Sequence, residues 1–206
     1  MSLTLNVNID PAQVDYLQKQ GYDLFLAKLV DGQAKANVIW KSNSKYIATN
    51  NFKWQPVYAI AGSETVEPGT LVSASTTVKP IGYGQSIEIS ETGTISNPSG
   101  TVAPGKAFTL TNNDPNLRFS AAVYSVDPTK PGAALSNPFF VSKSIEHGFH
   151  VSILPVETVV LWFGQHQETS TIIADYSGPA LTVVYGKGDS THTAQWTKDG
   201  NWELVN

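Results

Sequence analysis

Residues 156–165 read VETVVLWFGQ, and the five residues from Val159 to Phe163 are all apolar. An uninterrupted run of β-branched and aromatic side chains of this length predicts a strand that is buried on both faces. Residues 3–9, LTLNVNI, instead alternate apolar and polar side chains, which predicts a half-buried strand. The sequence therefore predicts strands of both kinds.

Short strands separated by turn residues account for most of the remaining chain. From Tyr22 onward, β-branched and aromatic residues are interrupted by Gly, Pro and Asn at strand-like intervals. This pattern is typical of a sandwich or a barrel, and we predict an all-β fold, a β-sandwich. One short amino-terminal helix is expected as well, because Asp10 suits the N-cap, Pro11 the first helical position and Gly21 the end of the helix.

Two stretches about eighty positions apart resemble each other. Residues 66–73 read VEPGTLVS and residues 145–152 read IEHGFHVS; an aromatic-Gly-Gln triplet follows each, at 83–85 and at 163–165. Upstream, QPVY at 55–58 matches NPFF at 137–140. Similarity on this scale indicates a duplicated supersecondary unit. The alternative is that a common Glu-x-Gly turn occurs twice by chance.

The duplication predicts two pseudo-symmetric, immunoglobulin-like halves that share one core. Residues 91–100, ETGTISNPSG, are small and polar, and a second turn cluster, TNNDPN, follows at 111–116. We place the boundary there. The predicted halves are residues 1–111, with the helix and the first copy, and residues 112–206, with the second copy.

The last hairpin can be placed in register from its turn residues. If residues 198–200, KDG, form a three-residue loop with Gly200 in the left-handed conformation, Thr197 pairs with Asn201 and Trp196 lies opposite Trp202. Shifting the register by one residue would put the two tryptophans on opposite faces, so the register with one apolar face is predicted. Both tryptophans are thereby assigned to packing.

Composition excludes several classes of protein. The formal net charge is −4 and Arg118 is the only arginine, so no nucleic-acid partner is expected. The absence of cysteine excludes disulfides, thiol nucleophiles and thiolate-bound metals. The first residues, MSLTLN, lack the features of a signal peptide, and we expect a cytoplasmic protein, with leaderless release as an alternative.

Catalysis finds little support in the sequence, which contains no nucleophile elbow, phosphate loop, dinucleotide fingerprint or zincin helix. We predict that the protein is not an enzyme and carries no cofactor. The four histidines all lie in the second half, and three of them, His147, His150 and His166, are weak candidates for metal ligands. A metal-dependent enzyme that uses them is the least favoured alternative.

Aromatic residues indicate a binding function, because sugar rings dock on flat apolar faces flanked by amides. Four aromatic residues have no evident core role in the sequence pattern, and several amides and a carboxylate lie near them along the chain. The predicted ligand-binding set is Trp40, Tyr46, Asn50, Tyr83, Gln85, Gln165, Asp175 and Tyr176. The expected function is non-catalytic, lectin-like recognition of a glycan or another small molecule.

A membrane surface is the alternative partner. The stretch 70–111 is rich in Ser and Thr and weakly alternating, as in pore-forming or toxin-like β-proteins, although three prolines interrupt it. An open sheet edge would also permit a homo-oligomer.

Overall fold

The computed structural model describes residues 1–64, 67–127, 130, 135–173, 176 and 178–205. Strands dominate the described residues, with a single short helix and several sheets packed together, so the predicted all-β, sandwich-like fold is confirmed. The helix is α1 (Pro11–Lys19). The strands are β1 (Leu3–Ile9), β2 (Asp23–Val30), β3 (Lys41–Asn43), β4 (Thr49–Ser63), β5 (Lys79–Ile81), β6 (Ser86–Ile89), β7 (Phe108–Asn112), β8 (Ser120–Val126), β9 (Leu135–Val141), β10 (His150–Ile153), β11 (Pro155–Gly164), β12 (Ala180–Val184), β13 (Thr191–Trp196) and β14 (Trp202–Val205).

Three sheets contain these strands. The largest has seven strands in the order β14-β13-β1-β4-β8-β9, with β5 paired to β4. A four-stranded sheet runs β12-β11-β2-β3, and a three-stranded sheet runs β10-β7-β6. Every sheet joins strands from both sides of residue 111, so the two halves share hydrogen bonds as well as a core. The boundary at residue 111 itself stays a prediction.

The apolar run from Val159 to Phe163 forms the centre of β11 and is buried on both faces, as predicted. Val159, Leu161 and Phe163 pack into the main core, whereas Val160 and Trp162 pack on the other side with Phe25, Ala27, Ala36 and Ile39. Strands β2 and β12 flank β11 within the sheet. Because both faces are covered, an uninterrupted apolar run fits this strand better than an alternating one.

The predicted helix cap and hairpin register are both confirmed. The Asp10 carboxylate accepts a hydrogen bond from Ala12 N–H at 2.9 Å. In the hairpin, Trp196 lies directly opposite Trp202, and Gly200 has a φ of 76°. Thr197 N–H donates to the carbonyl of Asn201 at 2.9 Å, as the three-residue loop requires.

The two similar stretches form the same turn and then diverge. Thr70 N–H donates to Glu67 C=O at 3.2 Å, and Phe149 N–H donates to Glu146 C=O at 3.1 Å. Beyond the turn, residues 150–153 form strand β10, whereas residues 71–77 contain no strand. Val66, at the start of the first copy, lies outside the described residues. The duplication stays a hypothesis of the sequence.

Candidate functional site

A cleft beside the helix combines the exposed ring of Tyr16 and two largely buried rings with the side-chain amide of Gln165. Its volume is about 380 Å³. We call it the α1 cleft. Its lining residues belong to α1, to the ends of β11 and β13 and to the segments next to β2, β11 and β12: Tyr16, Leu17, Tyr22, Phe163, Gln165, Gly178, Pro179 and Trp196. A cleft of this size lies within the usual range for small-molecule sites.

Helix α1 presents opposite faces to the core and to the cleft. Leu17 is buried and Val14 packs against the core, whereas Tyr16 is 58% exposed. The helix is tied to the last hairpin by Gln13, whose side-chain amide donates to Lys198 C=O at 2.7 Å and accepts from the Trp196 indole N–H at 3.3 Å. These contacts hold the Tyr16 ring at the mouth of the cleft.

The floor of the cleft is a packed aromatic cluster. Phe163 stacks on Trp202 with ring centroids 5.3 Å apart and an angle of 10° between the rings. Trp196 packs edge-on against both, at 5.1 Å from Phe163 and 5.0 Å from Trp202. Since each ring is held by its neighbours, the apolar wall of the cleft is formed before any ligand arrives.

Gln165 supplies the polar group of the cleft. Its side-chain N–H donates to Gln20 C=O at 2.6 Å, which fixes the orientation of the amide. Its carbonyl oxygen accepts no hydrogen bond from the residues that the structure describes. An oriented acceptor beside aromatic faces suits a ligand that carries hydroxyl groups.

The predicted binding residues do not converge on one site. Trp40 and Tyr46 are fully buried, so the expectation that they lack a core role is corrected. Trp40 donates its indole N–H to the Ser136 hydroxyl at 3.0 Å, and the Tyr46 hydroxyl donates to Tyr22 C=O at 2.9 Å. Each has a lysine beside it in sequence, at Lys41 and Lys45, but tertiary packing covers both rings.

Three further predicted side chains hold local structure. Asn50 is 8% exposed, accepts from Ile47 N–H at 3.0 Å and donates to Ile47 C=O at 2.6 Å. Gln85 accepts from Gly82 N–H at 2.8 Å and donates to Gly100 C=O at 3.1 Å. The half-buried Tyr83 hydroxyl lies 3.3 Å from that of Tyr58. These contacts occupy the polar atoms that the sequence had offered to a ligand.

Tyr176 packs edge-on against Trp162, with centroids 4.7 Å apart, and its hydroxyl donates to Ala36 C=O at 3.2 Å. Burial raises the pKa of this hydroxyl to about 12. Asp175 lies outside the described residues. Of the predicted set, Gln165 alone among the described residues lines the α1 cleft.

The candidate metal ligands lie apart from one another. His147 and His150 are exposed around the Glu146 turn, where His150 and the 67%-exposed Phe149 line a separate groove of 530 Å³. His166 lines another cavity, of 400 Å³, next to Glu168 and Asp23. Within the described part of the chain, no three His, Asp or Glu side chains are grouped as metal ligands.

The main core contains a buried lysine, enclosed by aromatic rings, that the sequence did not lead us to expect. The Lys28 side chain is fully buried, and its Nζ lies 5.0 to 5.6 Å from the centroids of four rings. We call the group the Lys28 chamber; it consists of Lys28, Glu157, Trp40, Trp54, Tyr58 and Phe139. Rings at this distance attract a cation through their negative faces.

Glu157 is the anionic partner in the chamber. Its Oε2 lies 3.5 Å from Lys28 Nζ and accepts from the Trp54 indole N–H at 2.8 Å, while Oε1 accepts from the Tyr58 hydroxyl. Burial lowers the pKa of Lys28 although Glu157 opposes the shift. Burial alone would raise the pKa of Glu157, but the Lys28 charge and the donors from Tyr58 and Trp54 outweigh it and lower the pKa.

The sequence did contain signals for both regions. Lys28 interrupts the apolar residues 24–30, LFLAKLV, and Glu157 interrupts the apolar end of its own strand, so each is a lone charge in a run predicted to be buried. Tyr16 is an aromatic residue on the polar side of the predicted helix. Neither signal reveals which other strands close around the side chain.

Comparison with known proteins finds no matching family model, no matching curated protein and no matching solved structure. None of the described helical residues forms a segment long and apolar enough to cross a membrane.

Proposed function

We propose that the protein is a non-catalytic, lectin-like recognition protein whose α1 cleft binds a sugar ring. The observation that carries this proposal is the combination of the exposed Tyr16 ring, the preformed aromatic floor and the oriented acceptor of Gln165. A pyranose has apolar C–H faces that pack on such rings, and hydroxyl groups at its edge that donate to an amide oxygen.

The cleft lining favours binding over catalysis. The side chains that the structure describes around the cleft are aromatic, aliphatic or amide, and none of them carries an ionisable acid or base of the kind that glycoside hydrolysis requires. A neutral, hydroxyl-rich ligand suits this lining better than a charged one, because a buried charge would find no partner there.

Three features make Tyr16 the residue to test. It is 58% exposed, so its removal leaves no cavity in the core. It lies at the mouth of the cleft on a helix whose cap and hairpin contacts do not involve its ring. The exposed Phe149, in the groove around His150, is a matched control, since it is also an accessible aromatic side chain.

The test is a glycan array followed by titration calorimetry with the glycan that binds. We expect Tyr16→Ala to weaken binding about tenfold, equivalent to about 1.4 kcal/mol, and Phe149→Ala to leave it unchanged. Absence of array signal at high protein concentration would overturn the proposal, as would loss of binding in Phe149→Ala alone. Release of dye from liposomes by the unliganded protein would favour the membrane alternative instead.

A further inference from the structure

We propose that Lys28 and Glu157 condense to an intramolecular amide bond that links strand β2 covalently to strand β11. The pair is separated by more than a hundred positions in sequence, yet Nζ and Oε2 lie 3.5 Å apart inside a chamber walled by four aromatic rings. This bond is independent of ligand binding at the α1 cleft.

The hydrogen-bonding capacity of the Lys28 ammonium is unsatisfied in the folded chain. An ammonium group has three N–H donors, and a buried donor without an acceptor destabilises the fold. Lys28 Nζ is fully buried and makes no contact of hydrogen-bond geometry with any described residue; the Glu157 carboxylate is at ion-pair distance only. The four rings attract the charge but supply no acceptor. An amide nitrogen has a single N–H, so condensation removes two of the three unsatisfied donors and both buried charges.

The two side chains lie close together. Nζ is 3.5 Å from Oε2, which is bonded to Cδ, the carbon that Nζ would attack, and holding two reacting groups side by side removes much of the entropic barrier to their reaction. Strands β2 and β11 are adjacent in one sheet: Lys28 lies opposite Val159, and Glu157 lies in the irregular stretch between the Pro155 and Val159 pairings, two residues from Val159. The reaction therefore requires no rearrangement of the sheet.

Each oxygen of the Glu157 carboxylate accepts a hydrogen bond from a group that can stabilise it during the reaction. The Tyr58 hydroxyl donates to Oε1, where negative charge develops when the carbonyl is attacked. The Trp54 indole N–H donates to Oε2 at 2.8 Å, on the side of the lysine. Oε1 thus becomes the amide oxygen, and Oε2 is the leaving oxygen.

The atoms balance without any co-reactant. Once the two side chains close from 3.5 Å to hydrogen-bond distance, a proton passes from the Lys28 ammonium to Oε2, which gives a neutral amine and a carboxylic acid. Nζ then attacks Cδ of Glu157, a C–N bond forms, and a second proton moves from nitrogen to Oε2. The Cδ–Oε2 bond breaks and one water molecule leaves, so an ammonium and a carboxylate become one amide and one water.

The released water has a route out of the chamber. The Glu157 side chain is 18% exposed and lines a small cavity of 160 Å³ with Tyr185, Pro56 and Leu3. On the opposite side, Lys28 is sealed from solvent. Water can therefore depart past the glutamate, while the aromatic walls keep bulk solvent from the new bond.

The test is the intact mass of the purified full-length chain under denaturing conditions, measured after prolonged incubation in the folded state. We expect a mass lower than that of the sequence by one water molecule, and a tryptic fragment in which the peptide containing Lys28 is joined to the peptide containing Glu157. Lys28→Arg, which keeps the positive charge, should have its full sequence mass. A wild-type chain at full sequence mass overturns the proposal and requires no variant to fold.

Loss of water by another route is excluded by the same peptide map. Asp-Gly sequences dehydrate to succinimides, and the chain contains two, Asp31-Gly32 and Asp199-Gly200. A succinimide would leave the Lys28 and Glu157 peptides separate, would persist in Lys28→Arg, and would also overturn the proposal. A faster-migrating band on a denaturing gel, absent from Lys28→Arg, is the expected independent sign of the crosslink.

Discussion

The Lys28 chamber and the α1 cleft are built from the same kinds of aromatic side chain but differ in what closes them. In the chamber, rings from three elements, β4, β9 and the segment before β3, enclose a cation and its carboxylate, and nothing but Glu157 reaches solvent. In the cleft, the largely buried rings of Phe163 and Trp196 line the same cavity as the exposed Tyr16. The chamber pairs its cation with a carboxylate of the same chain, whereas the cleft has an acceptor to offer a ligand.

The residue types in an aromatic cluster therefore do not distinguish a structural cluster from a ligand-binding one. What separates them is whether the acceptor atoms beside the rings already have donors. The carboxylate of Glu157 has donors from Trp54 and Tyr58, while the carbonyl oxygen of Gln165 has none among the described residues. A binding site is therefore expected where an oriented polar atom remains without a partner beside exposed rings.

The largest effect is expected when the charge balance of the chamber is broken. Glu157→Leu leaves Lys28 charged in a dry aromatic enclosure with no anion, and we expect the free energy of unfolding to fall by about 3–5 kcal/mol. Urea denaturation followed by tryptophan fluorescence measures the change.

The matched control removes both charges at once. In the double variant Lys28→Met/Glu157→Leu no buried charge remains, so its stability should be well above that of Glu157→Leu. A double variant as unstable as the single one would show that shape, rather than charge, determines the stability of the chamber.

A smaller loss is expected when one donor to the carboxylate is removed. In freshly folded protein, before the Lys28–Glu157 amide forms, Trp54→Phe deletes the indole N–H that binds the ionised Glu157, and hydrogen bonds to charged groups contribute about 1.5–3 kcal/mol. Trp162→Phe is the control, because Trp162 is equally buried but its indole N–H donates to no described residue. If the two variants lose the same stability in urea, the effect is one of volume alone.

Tyr46 supports the floor of the cleft from the core side, because its ring packs against Phe163 with centroids 5.4 Å apart. Burial raises the pKa of its hydroxyl from the ordinary value of 10 to about 12, with Asp23 adding to the shift. The unfolded chain therefore loses this proton at lower pH than the folded one, and stability present below pH 10 is lost as the pH rises toward 12.

Tyr46→Phe should flatten that pH dependence between the two pKa values while costing about 1 kcal/mol at neutral pH through the lost hydrogen bond to Tyr22. Urea midpoints measured across the alkaline range report both effects. An unchanged slope in the variant would assign the alkaline loss to other tyrosines.

The smallest effect on stability is expected at the mouth of the cleft. Tyr16→Ala should change the free energy of unfolding by no more than about 0.5 kcal/mol, because the ring is exposed and its hydroxyl bonds no described residue. Thermal unfolding of the variant beside wild type measures this. A large loss would mean that Tyr16 holds the helix in place, and that the cleft, like the chamber, is structural.

Local patterns predicted the elements whose forces act over short distances. The Asp10 cap and Pro11 were sufficient to place α1, and the Gly200 turn was sufficient to set Trp196 opposite Trp202. The run from Val159 to Phe163 predicted a strand buried on both faces. The cap and the turn form between residues a few positions apart, and the apolar run shows its burial in its own composition, so periodicity and turn chemistry carry the information.

The predicted binding set failed because burial of an aromatic side chain depends on distant strands. Trp40 and Tyr46 have polar neighbours in sequence, yet the first closes the Lys28 chamber and the second packs under the cleft. Gln165 entered the predicted set because it lies near the aromatic candidates along the chain, and the structure places it on the α1 cleft. Tyr16 was missed because its exposure had no sequence signature beyond its place on the helix.

The sequence by itself determined an all-β fold with one capped helix, the buried centre of β11 and the register of the last hairpin. Only the tertiary structure decided that Lys28 meets Glu157, and that Tyr16, Phe163 and Trp196 share a cleft with Gln165. The physical reason is that secondary structure follows from contacts a few residues apart. A chamber or a cleft forms only when strands distant in the chain pair in one sheet and pack on another.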